Sequence, residues 1–187
     1  MLRQVAADCL SQSLAHDLVT GGDFAQLFGM FSSEDPSVRK PIIAQLRTHI
    51  QTSDETTRGR LVDAKILPAI LQAYTPEKDD LLDFMTSYLL PMLGPSFAQN
   101  DGGVTLFPLL EHEEPRLRTA AVQALKNAID SRDVNMEKMA KASIVLTLHP
   151  LTASNDIIRD LWCRVLPKAA PYLENRAEID VLFDSLK

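Results

Sequence analysis

Glycine, cysteine and aromatic residues are scarce in this chain. Its 187 residues include seven glycines, two cysteines and one tryptophan, and aromatics make up 6%. With so few aromatics, a core must be built from Leu, Ile, Val, Ala and Met. That mixture suits helix packing better than sheets, which draw on β-branched and aromatic side chains. The cysteines, Cys9 and Cys163, form neither a CxxC pair nor a zinc spacing. Both fall within helical patterns, so two reduced, partly buried thiols and a reducing compartment are expected.

Positive charge is also short. Lys and Arg number 19 against 25 Asp and Glu, which leaves a formal charge of −6 and a pI near 5.2. A nucleic-acid binder usually shows a basic patch and a high pI, so no nucleic-acid partner is expected. An acidic surface suits a basic or neutral protein better. No apolar run approaches the roughly 18 residues needed to cross a bilayer. The opening MLRQVAADCL has no basic stretch followed by an apolar one, as a signal peptide would. The expected location is the cytoplasm, with the nucleus as the other choice.

Catalytic signatures are missing as well. His16, His49, His112 and His149 are scattered, with no HExxH. No serine sits in GxSxG, and neither GxxxxGK[ST] nor GxGxxG occurs. The acidic runs Glu77–Asp80 and Glu111–Glu114 stand where helices should begin and where carboxylates meet the helix dipole favourably. The expectation is a non-enzyme with no metal and no cofactor.

What the chain has is a repeat. Hydrophobic residues make up 45% and charged residues 24%, as in a folded soluble domain. Four segments superpose: DPSVRKPIIAQLRTHI from Asp35, KDDLLDFMTSYLLPML from Lys78, EPRLRTAAVQALKNAI from Glu114 and SNDIIRDLWCRVLPKA from Ser154. Each opens on polar residues able to cap a helix. Apolar residues then follow at helical spacing: Val38, Ile42, Leu46 and Ile50; Leu81, Met85, Leu89 and Met92; Leu117, Ala121, Leu125 and Ile129; Ile157, Leu161, Val165 and Ala169. A shorter apolar helix is expected before each, at 24–31, 66–74, 104–110 and 144–149, and smaller helices at 55–64 and 135–142. Leu2–His16 reads as the last helix of an incomplete repeat. Pro91 and Pro167 interrupt their helices, so an early stop is expected, with a kink as the alternative. Gly94–Asp101 reads as a short connection.

The segment starts recur at roughly 40 residues, the spacing of armadillo and HEAT units. ETTRGRLVDAKILPAILQAY followed by DDLLDFMTSYLL resembles an armadillo repeat, as does DGGVTLFPLLEHEEPRLRTAAVQALKNAI. The resemblance covers nearly the whole chain. It implies an all-α fold, a right-handed α-α superhelix of about four to five repeats in a single solenoid. The divisions are a partial first repeat (1–22), repeats at 23–62 and 63–101, a shortened repeat (102–133) and a last repeat with a C-terminal helix (134–187).

In armadillo proteins a concave groove is lined by residues four apart on the long helices. Asn127 matches the asparagine of that pattern, and counting back gives Gln123 and Thr119. The matching positions are Lys40, Ala44 and Thr48; Asp83, Ser87 and Pro91; Arg159, Cys163 and Pro167. Importin-like proteins carry a ladder of Trp and Asn in this row. Here Asn127 stands without a tryptophan four residues earlier, which argues against nuclear-localisation peptides as ligands. Trp162 is one residue off the row and reads as core. Asn127 reads equally as a clamp on a peptide backbone or a bridge between helices. Arg39, Lys40, Arg47, Arg116, Arg118 and Lys126 form a basic strip that reads as a solvated face.

The resemblance implies a non-catalytic scaffold or adaptor. Its groove, with Lys40, Thr48, Asp83, Ser87, Thr119, Gln123, Asn127 and Arg159 as contact residues, would take a helix or extended peptide of another protein. The competing expectation is a regulator that stimulates nucleotide exchange on a small GTPase, or a regulatory subunit of a larger complex. Leu2, Val5 and Leu10 at one end and Ile179, Leu182 and Phe183 at the other suggest self-association or a longer array.

Overall fold

Helices account for every regular element in the computed structural model of the chain, and no strand occurs among the described residues. Those residues are 24–131, 135–153 and 155–184, with Ser13 and Gly21. The remainder of the Leu2–His16 segment, with Cys9, Leu2, Val5 and Leu10, lies outside them, as does the Leu182 side chain. Two compact units are present, Met1–Met92 and Leu93–Lys187.

In the first unit, α1 (Phe24–Gly29) runs into a 3-10 turn at Met30–Ser32. Then come α2 (Pro36–Thr52), α3 (Glu55–Asp63), α4 (Ile66–Ala73) and α5 (Asp79–Phe84). Local chemistry sets these boundaries. The Asp35 carboxylate accepts from Ser37 N, and Pro36 fills the first helical position, where its missing N–H is harmless. Asp54 caps α3 through Thr57 N. Lys65 takes the left-handed conformation, φ 64°, and turns α3 sharply into α4. α2 buries Ile42, Ile43, Leu46 and Ile50 against a core shared with Leu67, Ile70, Leu81 and Phe84. Burying an aliphatic side chain of this size contributes about 1.5–3 kcal/mol.

A five-residue π turn, Met85–Leu89, follows α5 and leads into α6 (Leu90–Asp101). Here the sequence expectation fails. The chain stays helical through Pro91, and Gly94–Asp101, read as a connection, is helix with Pro95 inside it. A proline ring clashes with the carbonyl four residues earlier; the wider π turn directly ahead of Pro91 relieves that crowding. Pro167 likewise sits inside its helix rather than ending it.

The second unit follows a similar order. After α6, Gly102 and Gly103 take positive φ, 69° and 83°. The predicted 104–110 helix is instead a turn followed by a 3-10 stretch, Phe107–Glu111. Next are α7 (Pro115–Asp130), α8 (Met136–Lys141), α9 (Ile144–Leu148), α10 (Asp156–Ala169) and α11 (Arg176–Asp184). Asn135 caps α8, and left-handed Ser143, φ 59°, turns α8 into α9, as Lys65 does in the first unit. α7 buries Leu117, Ala121, Leu125 and Ile129, all four at or near zero exposure. In α10 the buried face begins at Ile158; Ile157, expected in the core, is 57% exposed. Trp162 is buried, its ring centroid 5.4 Å from that of His149. Gly94 packs closely on Ala124: a Cβ there would stand 2.9 Å from Ala124 O.

On the long helices α2, α7 and α10, an arginine stands four residues beyond the cap. Arg39 follows Asp35, Arg118 follows Glu114, and Arg159 follows Asn155. Each guanidinium turns back to a carbonyl of the incoming linker: Arg39 to Ser33 O at 2.6 Å, Arg118 to His112 O at 2.6 Å and Arg159 to Thr152 O at 3.1 Å. Ahead of α5 the same task falls to Lys78, which is buried and donates to Ser32 O and Ala73 O. Arg39 is therefore not part of a solvated basic face. It is 3% exposed and grips Asp80 with two bonds.

Candidate functional site

Burying one face of α2 forces the opposite face outward. Lys40, Ala44 and Thr48 all lie on that exposed face. With Asp83 from α5 they line a cleft of about 460 Å³ inside the first unit. Helical counting puts these four in one row, and they do share one surface. Ser87 and Pro91, the other members of the row in this unit, are exposed but do not line the cleft.

The cleft also holds residues that the row does not contain. The Arg47 guanidinium lies 4.1 Å from the centre of the Tyr88 ring, a cation–π contact that closes one wall. Arg47 Nε is buried without a hydrogen-bond partner. Gln51 extends the α2 wall, and Asp80, held by Arg39, stands on the facing side with Asp83. A signal for Arg47 and Gln51 exists in the sequence: they lie seven and eleven residues after Lys40, at helical spacing on one face. Tyr88 sits in the π turn, whose extra residue shifts the facing register, so regular helical counting misses it.

In the second unit Thr119, Gln123 and Asn127 are exposed along α7. Gln123 Nε2 donates to Asn127 Oδ1 at 2.7 Å, so these two amides are joined along one helix. Thr119 and Gln123 line a smaller cleft of about 210 Å³ with Arg118, Val122, Asn155 and the exposed Ile157. Arg159 is exposed but already engaged: besides Thr152 O, it pairs with Asp156 at 2.9 Å. Counted from its cap, Asp160 is the residue level with Lys40 and Thr119. Asp160, Arg164 and Lys168 reach towards α7, pairing with Lys126, Asp130 and Ile129 O. Cys163 is exposed, against the expectation of a partly buried thiol. Towards the C-terminus, Ile179 is half-buried and Phe183 is 61% exposed.

These surfaces are polar and charged. They offer cations, carboxylates, amides and one stacked ring in open, shallow clefts. Among the described residues no group of three His, Cys, Asp or Glu side chains is placed to hold a metal ion. Nor is any helix among them long and apolar enough to cross a membrane.

The fold thus places the chain among all-helical proteins. No family model matches it, and neither a curated protein nor a solved structure matches it.

Proposed function

We propose that the chain is a non-catalytic helical-repeat module of the armadillo or HEAT kind, which grips another protein by the outward polar faces of its long helices. The observation that carries this reading is the convergence of Lys40, Ala44 and Thr48 from α2 with Asp83 from α5 on one open cleft. Residues some forty positions apart meet there because successive long helices bury matching faces and so expose matching ones. The exposed Thr119, Gln123 and Asn127 of α7 give the same pattern. A superhelical stacking of the repeats, and residence in the cytoplasm or nucleus, belong to this proposal.

Quantitative affinity capture with the full chain tests it. Proteins retained by the wild type should be retained about tenfold less by Lys40→Ala/Thr48→Ala or by Gln123→Ala/Asn127→Ala, a change of about 1.4 kcal/mol. Circular dichroism should show unchanged helicity, since all four side chains are exposed. Equal retention by both double mutants rejects the outward row as the gripping surface.

A further inference from the structure

Near the C-terminus the second unit hides a carboxyl group. Glu178, in the first turn of α11, is 3% exposed, and its Oε1 is buried without a hydrogen-bond partner. Burial alone pushes its pKa above the ordinary glutamate value. Such a group is costly to ionise until a cation stands beside it. Glu178 lines a cleft of about 200 Å³ with Lys141, Ser143, Tyr172, Glu174 and Asn175. Ser143 is the left-handed residue that turns α8 into α9, so a strained backbone position forms part of the wall.

The charges around the cleft favour a cation. Lys141 is committed to Glu137 at 2.6 Å and lies close enough to Glu174 to feel its charge. Two carboxyls, Glu174 and Glu178, thus line the cleft beside a single lysine that is already paired with Glu137. α9, which also packs on α11, has the sequence IVLTL and brings no ionisable side chain. Arg176 and Asp180 are the other charges nearby on α11 itself, and both are exposed. The Tyr172 ring, 42% exposed, adds an aromatic face of the kind that attracts organic cations. A divalent metal fits less well, because no third ligand group completes a set among the described residues.

We infer that this cleft is a binding site for an organic cation, the guanidinium or ammonium end of an arginine or lysine side chain, with Glu178 as its counter-ion. It is separate from the outward row and does not depend on that reading. The full chain is titrated with Nα-acetyl-arginine amide and with Nα-acetyl-lysine amide while the Glu178 carboxyl and Tyr172 ring are followed by NMR. Saturable changes at both residues are expected. The pH at which Glu178 titrates should fall by about one pH unit or more on binding. Glu178→Gln should weaken the probe about tenfold or more. Lys141→Met, which removes the competing cation, should tighten it. Preference for one probe identifies the charged group the cleft selects. Overturning results are equal binding of uncharged Nα-acetyl-norleucine amide, unchanged affinity in Glu178→Gln, or a Glu178 titration that ignores both probes.

Discussion

Arg39 should be among the positions of the first unit most sensitive to substitution. Its side chain is 4% exposed, and Asp80 is 20% exposed. The guanidinium donates to Asp80 at 3.0 and 2.9 Å and to Ser33 O at 2.6 Å. Arg39→Met keeps the stem but leaves a largely buried carboxylate and a linker carbonyl without their donor. Breaking a buried pair from one side costs about 3–5 kcal/mol. Because Asp80 regains some water, the lower end of that range is expected. Arg118→Met removes only carbonyl contacts at a half-buried site, so about 1–2 kcal/mol is expected. At Arg159, with a side chain 55% exposed, less than about 1 kcal/mol should be lost. Urea unfolding with linear extrapolation measures all three. Arg39→Met combined with Asp80→Leu should recover part of the loss, because the orphaned charge is gone. Equal losses at the three arginines, or less than about 1 kcal/mol at Arg39, would refute the argument that burial and the carboxylate set the magnitude.

Gly94→Ala should destabilise the second unit by about 1–3 kcal/mol in the same assay, despite the better helix propensity of alanine, because the new Cβ meets Ala124 backbone at 2.9 Å. A neutral or stabilising result would mean that α6 and α7 separate easily. Lys65→Gly and Ser143→Gly should each raise stability by up to about 1 kcal/mol, since both residues hold left-handed backbone that glycine adopts freely; a loss at either would show that its side chain matters more than its φ. His49 is partly buried, its Nε2 has no partner, and burial, then the Arg60 charge, lowers its pKa below 6.5. Its neutral form is favoured on folding, so its contribution is complete above pH 6.5 and is lost as pH falls through the lowered value. His49→Gln should flatten that part of the stability–pH curve; an unchanged curve would remove His49 as the cause.

Most of the helical skeleton is legible in the sequence because helix periodicity and capping act locally. Asp35 with Pro36 and Glu114 with Pro115 mark helix starts that the structure reproduces. The short helices at 66–73 and 144–148 follow their apolar runs. What misleads is proline. Read residue by residue, Pro91 should end a helix, yet a π turn upstream lets the helix continue, and no local pattern announces that turn. Ile157 is misplaced because two adjacent isoleucines give periodicity no means of choosing between them. The Asn155 side-chain oxygen accepts from both Ile157 N and Ile158 N, and this cap sets the turn that sends Ile158 inward. The cleft is half legible. Lys40, Thr48 and Asp83 follow from counting on regular helices, whereas Tyr88 depends on the π register.

The cap-plus-four arginines show what apolar counting leaves out. In D35-PSV-R39, E114-PRL-R118 and N155-DII-R159, the cap holds the first turn and the arginine holds the linker that precedes it. A loop carbonyl left bare beside a packed helix would lose its hydrogen bond, a loss of about 1–3 kcal/mol when buried. One long side chain from the first turn avoids this and fixes how the chain enters the helix. The same spacing also corrects the register. It sets Asp160 level with Lys40 and Thr119, and Asp160, Arg164 and Lys168 are engaged with α7. On the proposed reading, the face of α7 with Thr119, Gln123 and Asn127 is the one offered to a partner in the second unit, since Asp160, Arg164 and Lys168 of α10 are paired with α7. Truncating Gln123 and Asn127 to alanine should weaken partner binding more than Arg159→Ala does, and affinity capture with the three variants side by side measures the difference. A larger loss at Arg159 would mean that its pairs with Thr152 O and Asp156 open when the partner arrives, and that cap-counted register does not choose the gripping face.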